Sequence, residues 1–458
     1  MRQWQTGRRV LTRLQPQNAR LGIIHSLASH SRHKQSFQTL STVSQTLEHK
    51  GLNESLTPEH AIYVSSSTDP LFNLTLEDWL FRNAPRSSPL LLIYRDSPCV
   101  IIGRNQNPWT EVNFPALRAV GTSFVRRRSG GGTVYHDLGN TNFSIHLPQS
   151  SFDRRATGNV ILGAVRSLGI DAQLNDRNDI CVGPYKISYP SRFFVISQSS
   201  RGPTRTENRR SSTHLSHCFT QNHLSPLPPV LMFVCSNYVS GSAYKIANKR
   251  SYHHGTMLIS TKLNDLGELL RPQESNIVTK GVSSVRSPVS NLQLSNPSTT
   301  HETFTSAVVD AFRKEYRVHS GICMVEDTED IKNMEYIRNG MAELSTWEWA
   351  FGQTPEFSRT LNKTFPWGEV SVEIRSKHGI ILDCALEFKN AQINSTTTIQ
   401  VAKKCKSFCV GQRYGFLREA PEDTQDTGFS EYPTSGSRPA EWVVPTQDTK
   451  SWLLGTLQ

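Results

Sequence analysis

Residues 126–147 read RRRSGGGTVYHDLGNTNFSIHL. Gly130, Gly131 and Gly132 follow three arginines and Ser129. Thr122 to Arg126, just before them, suit a strand. After them Phe143, Ile145 and Leu147 alternate with Ser144 and His146, which predicts another strand with one apolar face. Asp137-Leu138-Gly139-Asn140 between the two has the composition of a hairpin turn. A triple glycine between strands permits positive φ angles and carries no Cβ atoms, so a ligand can come close to the main-chain N–H groups. The flanking arginines point to an anion as that ligand.

The 458 residues suffice for two or three domains. Only 36% are hydrophobic, low for a chain that packs throughout. The net charge of +11 comes largely from an N-terminal tail and a central segment, so it is no property of the fold and does not imply nucleic acid as a partner. No run of about 18 apolar residues offers a membrane span. The eight cysteines show no CxxC spacing and read as free thiols rather than a disulfide framework. Residues 1–47 contain no Asp or Glu and carry Arg2, Arg8, Arg9, Arg13, Arg20, Arg32 and Lys34. That composition is a mitochondrial transit peptide's and predicts a matrix protein.

Folded sequence begins near Ala61 with a short strand, AIYVSSS. Asp69 and Pro70 then open a helix. Asn73 and Glu77 lie one turn apart on it, as on a solvated face. LLLIY and CVIIG, around Asp96-Ser97-Pro98, read as a hairpin. Arg104, Gln106, Asn107 and Trp109 cluster where the second strand ends, a common place for a site. A helix is predicted from Arg154 to Leu168, with Val160, Ile161, Ala164, Val165 and Leu168 on one face. NDICVGPYKIS, 178–188, then reads as a strand or hairpin carrying Lys186.

These pieces resemble the catalytic domain of lipoate-protein ligases and lipoyltransferases. The resemblance rests on DPLFNLTLED, GRNQNPWTEVN, RRRSGGGTVYHDLGNTNFS, NDI with the lysine of YKIS, GSAYKIANKRSYHHGTMLIS, KGVSSVRSPVSNL and TWEWAFGQTPEFS, in the family's order. It implies an α+β fold like that of biotin ligases and class II synthetases: a mixed, largely antiparallel sheet with packed helices, plus a small α+β accessory domain. It implies a catalytic domain over 61–300, and a linker helix and accessory domain over 301–400.

The implied reaction activates lipoate or octanoate with ATP as an acyl-adenylate, then transfers the acyl group to a lysine of a lipoyl domain. Joining a carboxylate to a phosphate needs positive charge and N–H donors. The resemblance assigns catalysis to Lys186. It assigns nucleotide contacts to Arg127, Ser129, Gly131, Gly132, Thr133, Val134, Tyr135 and Lys186. Trp109, His136, Gly241, Lys245 and His254 are the candidates for the substrate pocket. Lys245 stands where many relatives carry arginine. No metal site is expected, since His253 and His254 lack a third ligand at zinc-like spacing; magnesium enters only with ATP. The implied partners are lipoyl domains of 2-oxoacid dehydrogenase E2 subunits and the glycine-cleavage H protein. Two other readings stay open: an ATP-independent lipoyl or octanoyl transferase using carrier-protein, acyl-protein or acyl-coenzyme A donors, and an inactive lipoyl-domain-binding paralogue.

Residues 189–240 interrupt the motif sequence between YKIS and GSAYKIA. They hold five arginines, one acidic residue, Glu207, and no sustained period. The stretch reads as translated intron or a gene-model error, with a genuine regulatory loop as the alternative. Residues 401–458 read as a disordered tail.

Overall fold

The structure, a computed structural model, describes residues 56–183, 237–274, 276–419 and 441–457, with the backbone alone at 186–188 and 232–234. The basic N-terminal segment 1–47 and residues 189–231 lie outside the described residues. In chain order the strands are β1 Ile62–Ser65, β2 Leu90–Tyr94, β3 Cys99–Ile102, β4 Ser123–Arg126, β5 Val134–His136 and β6 Asn140–Pro148. Next come β7 Ala172–Leu174, β8 Ile180–Val182, β9 Lys186–Ser188, β10 Met232–Val234, β11 Asn237–Tyr238, β12 Ser240–Ala247 and β13 Arg250–Leu258. The last are β14 Ile277–Thr279, β15 Cys323–Val325, β16 Phe357–Phe365, β17 Gly368–Lys377 and β18 Ile380–Lys389.

The largest sheet runs β12-β13-β6-β2-β1-β15 and is antiparallel except where β1 lies parallel to β2 and β15. The α+β expectation is met. The alternation in β6 has a direct structural counterpart: Phe143, Ile145 and Leu147 enter one core with Val160, Ile161, Ala164 and Val165 of helix Arg154–Ser167. Phe304, Val308, Val309 and Phe312 of helix His301–Tyr316 close the same core. The other face of β6 is buried as well, beneath helix Pro70–Asn83, where Phe81 packs on His146 and Tyr252. Asp69 caps that helix through bonds from the N–H groups of Leu71 (2.8 Å) and Phe72 (3.4 Å).

Two local readings need correction. LLLIY and CVIIG are not a hairpin: β2 joins the large sheet, whereas β3 pairs with β4 and β5 in a separate three-stranded sheet. The turn Asp137–Asn140 likewise carries the chain from one sheet to the other. It is pinned between them: Asp137 accepts from Gly139 N–H (2.9 Å) and Lys262 N–H (2.9 Å), and Gly139 O accepts from Ile259 and Ser260. Turn composition marks a change of direction, not which strands pair.

Catalytic and accessory regions also divide differently from the expected boundary at 300. Helix His301–Tyr316 belongs to the main core and β15 is a strand of the large sheet, so the catalytic lobe continues to about residue 325. Conversely β14 pairs with β16 and extends the accessory sheet β14-β16-β17-β18. The β17–β18 turn has positive φ at His378 (53°) and Gly379 (69°), the pattern that suits a two-residue hairpin. The C-terminal region is helical rather than a tail. Val401, Cys405 and Cys409 of helix Ser395–Cys409 are buried, and Leu453 and Leu457 join Val370, Val372 and Ile374 in the accessory core. Trp367 Nε1 donates to Asp448 (2.9 Å), fixing helix Val443–Thr456 to the sheet. The polar composition that suggested disorder falls mainly on 420–440, outside the described residues. The Cys384, Cys405 and Cys409 thiols are free. No helix among the described residues is long and apolar enough to cross a membrane.

The atypical central segment is shorter than 189–240. β10 pairs antiparallel with β9, Met232 opposite Ser188 and Val234 opposite Lys186, and β11 pairs with β8. The returning arm of this ribbon therefore lies within the stretch first read as foreign. Because Ser188 and Met232 are direct partners, a two-residue Asn-Gly turn would close the ribbon in register. Replacing 189–231 with that dipeptide is expected to leave the melting temperature unchanged. A large fall in thermal unfolding would show that the removed residues hold the fold.

Candidate active site

Each arginine at the head of the glycine loop has its own environment. Arg126 is fully buried and has no carboxylate partner among the described residues. Its guanidinium donates to the carbonyls of Ala350 (2.9 Å), Arg104 (2.8 Å) and Gln106 (2.8 Å) and to Thr354 Oγ1 (3.1 Å). Burial, then nearby Arg104, pulls it down to about 9. Arg128 reaches outward to Glu343 (2.6 Å) and lies over Trp349. Arg127, the sequence candidate for an anion contact, instead holds the loop. Its Nη2 donates to Gly130 O and Gly132 O, both at 2.7 Å, and its Nε to Ser129 Oγ at 3.0 Å. Burial lowers it to about 10, so it stays charged at neutral pH. Gly131 has φ +89°, and a Cβ there would come within 2.8 Å of both Ala243 and Arg127, so glycine is required.

The loop opens on a cavity of about 500 Å³, a size suited to a small ligand. Leu74, Ile101, Val134, Ala243 and Leu258 give it apolar wall; Arg127, Arg177, Arg271 and Arg286 give it charge. Of the sequence candidates, Arg127, Gly131, Gly132, Thr133, Val134, Tyr135, His136, Gly241 and His254 line it. Thr133 N–H donates to Ser284 Oγ (2.8 Å), which also accepts from Gln106 Nε2 (3.0 Å). The Thr133 N–H is therefore already paired, and the bond ties the glycine loop to the segment carrying Ser284. Ser284 and Glu111, which accepts from Ser284 N–H (3.2 Å), escaped the sequence reading because their roles depend on a contact between distant segments.

Two pocket candidates lie elsewhere. Trp109 is 3% exposed and packs against Phe351, Phe357 and Tyr414, joining the catalytic lobe to the accessory lobe. A strand-end cluster could not distinguish a ligand contact from a lobe contact. Lys245 bonds Asp78 Oδ1 at 2.7 Å. Burial would raise the Asp78 carboxyl, but Lys245, Tyr336 and Arg82 outweigh it and bring it to about 2. The β9 backbone places Lys186 opposite Val234; its side chain lies outside the described residues.

Behind the cavity wall runs a buried polar network. His254 Nδ1 lies 2.9 Å from Glu77 Oε1, and its Nε2 lies 3.0 Å from Ser129 Oγ. Glu77 is therefore no solvated helix residue. Burial would raise its carboxyl, but the facing imidazole holds it below the ordinary range. Asn73 is buried too, donating to Asp96 Oδ1 (2.9 Å) and Ser67 O (2.9 Å). His136 Nδ1 donates to Asp96 Oδ2 at 2.7 Å, with Cys99 beside them. The Asp96, Cys99 and His136 set has metal-ligand chemistry, and here Asp96 and His136 are joined by a direct 2.7 Å hydrogen bond. Burial, then Asp96, also pushes the Cys99 thiol well up.

His146 and His253 are buried and pulled to about 3, His146 chiefly by burial and His253 by burial and then His254. Their ordinary value is 6.5. Between 6.5 and about 3 the unfolded chain takes up protons that the fold refuses, so stability is full above 6.5 and is lost as pH falls. Each group contributes up to ~1.4 kcal/mol per pH unit in that window. Asp78 acts in the same sense lower down, between its ordinary 3.8 and about 2. The melting temperature is expected to be level above pH 7 and to drop steadily from pH 6.5 to 4.5. A level profile through that range would contradict the neutral assignment of both histidines.

An antiparallel-rich sheet, an arginine-clasped glycine loop and a mixed apolar and cationic cavity define the class: an α+β enzyme that handles an anionic ligand with an apolar part. Comparison with known proteins supplies the family. The family model described as lipoyl protein ligase A/B catalytic domain matches residues 69–189 and 231–313, passing over the central segment. Lipoate-protein ligase A of Psychrobacter cryohalolentis is 32% identical over 401 residues, covering 87% of this chain and 98% of that protein. The chain belongs to the lipoate-protein ligase family, the enzymes of protein lipoylation. Among solved structures, P. falciparum LipL1 in complex with lipoate is similar at 23% identity and a TM-score of 0.48, over 77% of this chain and 90% of that one. A lipoate-protein ligase A bound with ATP is similar at 21% identity and a TM-score of 0.43, over 63% and 96%.

Proposed function

We propose that this chain activates lipoate or octanoate with ATP and transfers the acyl group to a lysine of a lipoyl domain. The observation that carries the reading is one cavity combining a clasped glycine loop with apolar wall and four arginines. A medium-chain acid fits the apolar wall, and the arginines and loop N–H groups suit the phosphates. Arg127 acts by holding the loop, with Gly131 and Gly132 presenting N–H groups and Lys186 completing the charge at the reacting carboxylate. Asp179 and Glu111 are the lining carboxylates that would meet magnesium arriving with the triphosphate. The acceptors are lipoyl domains of 2-oxoacid dehydrogenase E2 subunits and the glycine-cleavage H protein.

Activation is tested without any acceptor. Labelled pyrophosphate should exchange into ATP only when lipoate or octanoate is present. Acyl transfer from carrier or coenzyme A thioesters without such exchange would replace this reading with a transferase. The acid-free composition of 1–47 supports mitochondrial import. A reporter carrying these residues should enter the matrix, and a cytosolic reporter would count against it.

A further inference from the structure

Glu77, His254 and Ser129 stand in series beside the cavity. His254 Nδ1 is 2.9 Å from Glu77 Oε1 and 3.2 Å from Oε2; its Nε2 is 3.0 Å from Ser129 Oγ. When a carboxylate accepts Nδ1–H from a neutral imidazole, Nε2 is left as an acceptor, so the Ser129 hydroxyl faces a base. Arg127 Nε, also 3.0 Å from Ser129 Oγ, favours negative charge on that oxygen. The elements are independent: Glu77 comes from helix Pro70–Asn83, His254 from β13, and Ser129 from the loop after β4. His254 and Arg127 line the cavity, with Ser129 directly behind them at 2% exposure.

We propose that Ser129 is an acyl-accepting nucleophile, giving this chain a nucleotide-free route from medium-chain acyl thioesters. Ser129 Oγ bonds the thioester carbonyl carbon while its proton passes to His254 Nε2 and the C–S bond breaks. The imidazolium, paired with Glu77, returns that proton to the departing thiolate. An amine or water then attacks the seryl ester, His254 takes the incoming proton, and Ser129 leaves as its hydroxyl. The inference rests on reading the cavity as an acyl site but not on the use of ATP.

The full chain is incubated with octanoyl-N-acetylcysteamine, without nucleotide or acceptor, and followed by intact mass and peptide mapping. One octanoyl group is expected on Ser129. Ser129→Ala should form none, His254→Gln should form it about a hundredfold more slowly, and Ser129→Cys should accumulate it as a thioester. No adduct on the wild-type chain, or one that maps to another residue or persists in Ser129→Ala, overturns the proposal. Mapping the wild-type adduct decides the matter even if a variant fails to fold. A parallel reaction with lipoate, MgATP and an apo lipoyl domain separates the two readings. Modification there without a seryl adduct sinks this proposal alone; failure of both sinks the acyl-site reading with it.

Discussion

Replacing Lys186 with alanine is expected to slow acyl transfer at least a hundredfold while leaving the melting temperature unchanged. The rate effect follows from the chemistry: a charge-assisted contact made only as negative charge develops is typically worth ~3 kcal/mol, about a hundredfold in rate. The stability expectation follows from the fold. Lys186 sits on β9, whose backbone pairs with that of β10, and alanine keeps that ladder. Steady-state acyl transfer and calorimetry on the same preparation check both halves. Near-wild-type turnover would remove Lys186 from the mechanism. A large fall in melting temperature would make it a structural residue.

Trp109→Ala is expected to do the reverse: to lower stability by ~3–5 kcal/mol, the range for deleting a large buried aromatic, without weakening lipoate binding. Its ring centroid lies 4.7 Å from that of Tyr414, 5.4 Å from Phe357 and 5.7 Å from Phe351. Its Nε1 fills the space a Cβ would need at Gly415, whose φ is +79°. Removing the indole opens a hole where the two lobes meet, and Trp109 is not among the residues lining the cavity. Denaturant unfolding and calorimetric titration with lipoate separate the outcomes. A stable variant that binds lipoate poorly would return Trp109 to the pocket.

Trp109 also shows where reading the sequence reaches its limit. Local patterns carried the elements: the Asp69-Pro70 cap, the alternation in β6, the apolar stripe of helix Arg154–Ser167 and the glycine loop are set by neighbours in the chain. Pairing was not local. Asp96-Ser97-Pro98 looks the same whether its flanking strands pair with each other or enter different sheets. Polar residues on a helix look solvated until their partners are known. Glu77 and Asn73 are buried because β13 brings His254, and the chain before β3 brings Asp96, beneath helix Pro70–Asn83. The arginine triplet was legible as charge, but its division among carbonyl clasping, loop holding and outward pairing depends on which backbone each guanidinium meets. The tail was misread for the opposite reason: helix Val443–Thr456 is short on pattern and owes its place to a sheet assembled some sixty residues earlier.

ATP-driven lipoylation is the step to measure on an acceptor. The measurement is the mass of a purified apo lipoyl domain after incubation with the chain lacking residues 1–47, lipoate and MgATP, with ATP-free and lipoate-free controls. One lipoyl group is expected on the acceptor lysine, only in the complete mixture, with pyrophosphate released. An unmodified acceptor in the complete mixture, or equal modification without ATP, would contradict it.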